Sequence, residues 1–307
     1  MAGRIFITGA TGSVGNALAH DLLTINWTVN ATIRDPNAPK AKALAAAGAN
    51  LFPGNWDDQA SLEKAMAGCT GLFMNLMPSF TDFTSDRKQA KVILAAAKAA
   101  GIKHVIYSSG AAMNAPERLQ YYRPGTLLAT FAESKRIIEE EVRTGRFESW
   151  TILRPAGFMC NWLAPKVHAW SHGFLETGVY RTAVKPDTLV ASIDEQDLGG
   201  FATAAFKDPG RFHGQEIEIA AEIHTTAEIM ERLSRASGRQ LVVEYMSEEE
   251  IREKRDQDPF VDGQLVSRDM IQFIDLDEVR KWGVSMKTFE EYLERERDVV
   301  AETYGKQ

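Results

Sequence analysis

Cysteine is nearly absent from this chain of 307 residues. Cys69 and Cys160 are the only two, and they have neither metal-ligand spacing nor the density of a disulfide scaffold. Among the six histidines only His168 and His172 share a helical spacing, and with no third histidine near them no metal site is expected. An excess of basic residues is also missing. The 35 Lys and Arg against 42 Asp and Glu leave a formal charge of −7, and this argues against nucleic acid as a main partner, because phosphate binding calls for a basic face. No apolar run approaches the length of a membrane span, so no membrane partner is expected. The opening Met1-Ala2-Gly3-Arg4 enters an apolar run directly, without the basic, apolar and small-residue succession of a secretory leader. The expected location is therefore a reducing, cytoplasmic one. Internal repeats, low-complexity segments and Gly/Ser linkers are missing too, so the second half is expected as a smaller lobe packed on the first.

What is present points to an α/β fold. Hydrophobic residues are 44% and charged residues 25% of the chain, near globular averages. Through the first half, short apolar runs alternate with helical patterns, as in a parallel sheet with helices on both faces. Strands are expected at 5–7, 27–33, 51–52, 71–77, 104–108 and 150–153. Helices are expected at 14–23, 41–47, from Asp57 or Asp58 to Met66, at 87–100, and at 131–142. After Pro155 the rhythm breaks into an aromatic- and Met-rich stretch. Further strands at 189–193, 215–219 and 241–245 and helices at 196–206 and 226–235 then lead to a charged helical tail. The fold class expected is a Rossmann-type doubly wound parallel sheet with a smaller α+β C-terminal substrate lobe. The Rossmann domain is placed at 1–155, with 188–220 returning to it, and the substrate lobe mainly at 156–307.

The first strand ends in Thr8-Gly9-Ala10-Thr11-Gly12-Ser13-Val14-Gly15, and a helix follows at once. Gly9 suits a tight strand-to-helix turn, Gly12 lets main chain approach a pyrophosphate, and Gly15 lets the helix sit close to the sheet. The helix start then offers N–H groups and a positive dipole end to an anion. The alternative is a tight turn that binds nothing. At the end of the second strand, Thr32-Ile33-Arg34-Asp35 offers a guanidinium suited to a 2′-phosphate, which favours NADP(H), with Lys40 and Lys42 adding charge nearby. The alternative there is a ribose held by Asp35, with Arg34 merely solvated.

Five segments then occur in order: the glycine loop, Arg34-Asp35-Pro36, Gly54-Asn55-Trp56-Asp57-Asp58, Val105-Ile106-Tyr107-Ser108-Ser109, and Ile152-Leu153-Arg154-Pro155-Ala156-Gly157-Phe158-Met159. This combination resembles the NmrA-like family, atypical members of the short-chain dehydrogenase/reductase superfamily. Isoflavone-reductase-like and quinone-reductase-like proteins are similar. The resemblance covers most of the chain and implies NADP(H) in a crevice between the two lobes. It implies that Asp57 lies near the adenine, that Leu76, Met77, Pro78 and Ser108 line the cofactor path, and that Pro155, Ala156 and Phe158 sit beside the carboxamide.

The superfamily's Tyr-x-x-x-Lys motif reads Phe131-Ala132-Glu133-Ser134-Lys135 here. Lys135 matches the ribose-holding lysine, while Phe131 cannot donate a proton. The proton would then come from Lys135, Tyr121 or Tyr122, with Ser109 polarising the carbonyl. Alternatively, the substrate is a quinone, activated alkene or iminium that needs little acid help. A third reading is a regulator that senses dinucleotide without turnover and binds other proteins.

Phe158, Met159, Trp162, Trp170 and Phe174 form either an apolar substrate wall or an ordinary lobe core. Phe131, Met159 and Trp162 are the candidates for the substrate pocket. Asn161, His168, His172 and Tyr180 lie in the same stretch and are left unassigned. The charged runs at 248–250 and 290–297 read as solvated helix faces, the latter alternatively as a partner surface for a regulator. The leading expectation is an NADPH-dependent oxidoreductase acting on a small apolar or aromatic carbonyl, quinone, enone or imine, as a monomer or homodimer.

Overall fold

The computed structural model describes residues 3–77, 79, 82–170 and 173–305, the Trp170 side chain excepted. The strands in chain order are β1 (Arg4–Ile7), β2 (Thr28–Ile33), β3 (Asn50–Pro53), β4 (Gly71–Asn75), β5 (His104–Ser108), β6 (Ser149–Pro155), β7 (Gly157–Phe158), β8 (Val179–Thr182), β9 (Leu189–Ile193), β10 (Gln215–Ile219), β11 (Glu222–Thr225) and β12 (Val242–Tyr245). A seven-stranded sheet runs in the order β10-β6-β5-β4-β1-β2-β3. Strands β1 to β6 pair with their neighbours in parallel. The order reverses between β1 and β4, the point where doubly wound sheets open a crevice for ligands at their carboxyl ends.

The first helices are α1 (Ser13–Thr24), α2 (Pro39–Ala46), α3 (Gln59–Met66), α4 (Ser85–Ala99) and α5 (Leu127–Arg143). The strand side chains alternate, so each face is covered separately. Phe6, Leu72, Met74, Val105 and Tyr107 form one buried cluster with Leu62 and Met66 of α3, Ile93 of α4, and Ile138 and Val142 of α5. On the other face Gly71 is needed for packing: a Cβ there would stand 2.6 Å from Ile5 and 2.7 Å from Phe206 of the helix Glu195–Lys207.

The chain forms two compact units. The first holds Met1–Asn114, Phe131–Arg154 and Glu195–Ile217, and the second Ala115–Thr130, Pro155–Asp194 and Glu218–Gln307. This differs from the expected division at 155/156 with 188–220 returning. The returning segment is shorter, because β9 pairs antiparallel with β11 and parallel with β7 in a three-stranded sheet of its own. An apolar strand pattern does not say which sheet takes its hydrogen bonds. The second unit also has a two-stranded β12-β8 sheet and a core that includes Met159, Phe174, Met230, Leu233, Tyr292 and Tyr304.

The ends of three elements are set by local side chains. Asp58, not Asp57, caps α3 by accepting from the Ser61 N–H at 3.2 Å. The β4 strand stops at Asn75, two residues early, because the Asn75 main chain is taken by the Thr8 side chain. The helix α5 begins at Leu127, four residues early, where the Thr126 hydroxyl accepts from the Ala129 N–H at 3.3 Å.

Candidate functional site

The site is built at the sheet's reversal. Thr8, fully buried at the end of β1, donates from Oγ1 to the Asn75 carbonyl at 3.1 Å and accepts the Asn75 N–H at 2.8 Å. One hydroxyl thus ties together the ends of the two strands that flank the switch point. Gly9 follows at φ +64, a left-handed turn that glycine adopts without strain. Its carbonyl accepts from Gly12 at 2.8 Å. A Cβ on Gly15 would lie 2.3 Å from the Gly9 carbonyl oxygen, so the helix packs directly on the turn's main chain. Helix α1 starts at Ser13 with no side-chain cap and no acidic residue in its first turn. Val14 and Gly15 are buried, Thr11 and Ser13 are half-buried, and Gly12 is exposed. A cradle that a Cβ would fill, next to an uncapped helix start, fits a pyrophosphate.

Arg34 is exposed just beyond β2, and among the described residues no ion pair reaches it. The neighbouring Asp35 accepts the Asn37 N–H at 2.8 Å in a turn of its own. Of the two sequence candidates, Arg34 is the one not engaged in holding a turn. Since Asp58 caps α3, Asp57 stays exposed without capping duty.

Lys135 sits on α5 above the ends of β4 and β5. Its Nζ donates to the Leu76 carbonyl at 3.1 Å and to the Ser108 carbonyl at 3.5 Å, and lies 5.4 Å from the centre of the Tyr107 ring. Burial lowers its pKa to about 8, against the opposing pull of Asp86 and Glu139. Ser109 is buried, donates its N–H to the Leu153 carbonyl at 2.8 Å, and leaves its own Oγ without a partner. Ser108 is also buried, as is Leu76, whereas Met77 is 79% exposed. Pro78 lies outside the described residues. Phe131, one helical turn before Lys135, meets Phe83 edge-on at 6.1 Å.

The other sequence candidates fall in the second unit. Tyr121 packs on the cluster of Ala183, Ile251, Val261 and Leu265. The guanidinium carbons of Arg268 and Arg255 lie 5.3 and 5.9 Å from its ring centre, and its hydroxyl accepts from Arg268 at 3.4 Å. Tyr122 is half-buried, its N–H bonded to the Leu119 carbonyl. Pro155 and Ala156 are buried, and Ala156 donates to the Ile219 carbonyl at 2.8 Å. Phe158 is half-buried with the Lys166 ammonium 5.9 Å from its ring centre. Met159 is fully buried in the unit's core, and Trp162 stands edge-on to Tyr180 at 5.1 Å. Both therefore have packing roles. No helix of the described residues is long and apolar enough to cross a membrane, and no group of metal-ligating side chains is found among them.

Sequence reasoning missed the charged residues behind Lys135. Arg154, 3% exposed, donates to both oxygens of the fully buried Glu139, at 2.9 and 2.6 Å, and also bonds Glu216. Arg143 joins Glu139 at 2.8 Å, Glu216 at 2.5 Å and the exposed Glu140 at 3.3 Å, and links these groups into one network. The i,i+4 spacing of Glu139 and Arg143 reads in sequence as an ordinary solvated helix pair, and nothing in it marks Glu139 as fully buried.

The profile of the NmrA-like family matches residues 1–293. The chain belongs to this family. It is 28% identical over 250 residues to an NmrA-like family domain-containing oxidoreductase, malD, of Malbranchea aurantiaca, covering 76% of this chain and 73% of that protein. Among solved structures it is similar to an NADPH-dependent quinone oxidoreductase from Escherichia coli complexed with NADPH, with a TM-score of 0.73, 25% identity and coverage of 95% and 99% of the two chains. It also shares its fold with Nmra, a negative transcriptional regulator solved with NAD, at a TM-score of 0.76, 20% identity and coverage of 100% and 98%.

Proposed function

We propose that this chain is an NADP(H)-dependent oxidoreductase that reduces a small apolar or aromatic carbonyl, quinone, enone or imine, with Lys135 in the proton-donating role that tyrosine usually fills. The observation that carries this reading is the Lys135 ammonium, held by two carbonyls at the carboxyl ends of β4 and β5, with its pKa brought down to about 8. A donor that titrates near the working pH transfers its proton best.

When bound, NADPH supplies the hydride. The Gly9–Gly15 turn and the start of α1 hold the pyrophosphate, and Arg34 clamps the 2′-phosphate. Asp57 lies towards the adenine. Leu76 and Ser108 shape the remainder of the cofactor path, and Lys135 also bonds the ribose. Lys135 gives one Nζ proton to the acceptor atom that becomes anionic, and the resulting neutral amine takes a proton back from water. Ser109, with its unpartnered Oγ, polarises the same atom. Tyr121 is a weaker donor candidate, because Arg268 already bonds its hydroxyl.

A second reading, a non-catalytic NADP(H)-sensing regulator, is favoured by Phe131 alone. Its ring rests on Phe83 and brings no hydroxyl. The deciding measurement is loss of NADPH absorbance against a panel of quinones, enones, aldehydes and imines. Turnover of any of them, abolished in Lys135→Ala, is expected. Tight NADPH binding with silence across the panel would select the regulator.

A further inference from the structure

A buried carboxylate is bonded to the residue that precedes Lys135. Asp86 is the second residue of α4 and is fully buried. One carboxylate oxygen, Oδ1, accepts the Ser134 hydroxyl at 2.7 Å and the Arg87 N–H at 2.9 Å. The other, Oδ2, is buried with no hydrogen-bond partner. No ion pair to Asp86 is found among the described residues. Ser134 immediately precedes Lys135, so the Ser134–Asp86 bond pins the lysine's own stretch of α5 to the start of α4.

The charges bearing on Lys135 come from few sources. From α4 there is Asp86, and from its own helix there is Glu139. Tyr107 of β5 lies beneath the ammonium and stays neutral, since burial raises its pKa well above the usual phenol range. From the end of β4 the Leu76 carbonyl reaches it. Glu139 is already matched, because Arg154 and Arg143 both bind it directly. Asp86 is the anion left over, in a setting where unpaired buried charge is costly.

We propose that Asp86 is the positioning residue of this site, a buried countercharge that keeps Lys135 protonated while its bond to Ser134 sets the lysine's place on α5. The proposal rests on the oxidoreductase reading for its meaning, but its test does not. Asp86 touches no reacting atom and acts only through Lys135. Burial removes water from the lysine and favours the neutral amine, and a carboxylate nearby offsets part of that cost. Asp86→Asn removes the charge and keeps an oxygen that can still accept from Ser134. A merely structural Asp86 would be replaced by asparagine without moving the lysine's titration.

The experiment follows the Lys135 side chain by NMR in full-length protein carrying lysine labelled at the ε-carbon, with the resonance assigned by its loss in Lys135→Arg. In the native protein the midpoint is expected at about 8. In Asp86→Asn it should fall by roughly half a unit or more. A midpoint that stays at the native value in a folded Asp86→Asn protein overturns the proposal. Should the asparagine variant not fold, Asp86→Ser, which also lacks the charge and suits a helix start, is read in the same way. NADPH binding is measured separately on the native protein. Failure to bind would remove the oxidoreductase reading and leave the Asp86 result standing or falling by itself.

Discussion

Lys135 combines two demands that usually conflict. In its proposed role it must stay charged to bond ribose and carbonyls, yet lose a proton readily enough to act as a donor. The pKa of about 8 sits between these demands. Because a proton donor works only when protonated, turnover should be highest below this value and fall as pH rises through it; a rate that climbs from pH 7 to 9 would contradict the assignment. Lys135→Ala should lower kcat by roughly 100- to 10,000-fold, the usual cost of a lost positioned acid, while the protein keeps its fold. Arg34 makes a separate prediction. A charge-assisted bidentate pair adds about 1.5–3 kcal/mol, so Arg34→Ala should weaken NADPH binding by about ten- to a hundredfold. NADH binding should change little, and calorimetric titration with both cofactors checks this. Equal losses would return the ribose to Asp35. These residues were legible by type and order: the lysine from its place in the motif, the arginine from its place after the second strand. Asp86 was not, because nothing in its local sequence marks a residue as fully buried.

Among the elements, the β1–α1 turn is the most tightly constrained. A side chain at Gly15 has nowhere to go, since its Cβ would stand 2.3 Å from one backbone oxygen and 2.8 Å from the adjoining carbonyl carbon. Gly15→Ala should push α1 off the turn, destabilise the protein by about 1–3 kcal/mol, and abolish NADPH binding. Denaturant unfolding and cofactor titration read the two effects separately. The glycine pattern announced this turn because each glycine answers a local need. Strand and helix ends were less legible. Where β4 stops depends on Thr8, which is remote from Asn75 in sequence, and the early start of α5 depends on the Thr126 cap. The phase of apolar residues tells which face is buried but not where a neighbouring hydroxyl interrupts a strand.

For the whole molecule, the chain divides into two compact units, and the residues proposed to bind the cofactor, the glycine turn, Arg34 and Lys135, all belong to the first. A ligand that binds only the folded protein stabilises it by mass action. NADPH at a hundred times its Kd should therefore add about 2.7 kcal/mol, seen as a rise in Tm that grows with cofactor concentration. Removing the cofactor should reverse it, and a Tm that does not respond to any pyridine nucleotide would refute the binding role itself.

Sequence by itself determined the α/β class, the glycine turn, the lysine that stands without its tyrosine, and the family, because these depend on residue type, spacing and order. Tertiary structure alone decided which sheet receives β9, which aromatic residues are core, and which buried carboxylates stand behind Lys135. Hydrogen-bond partners and desolvation are set by neighbours distant in the chain, and a linear pattern carries no record of them.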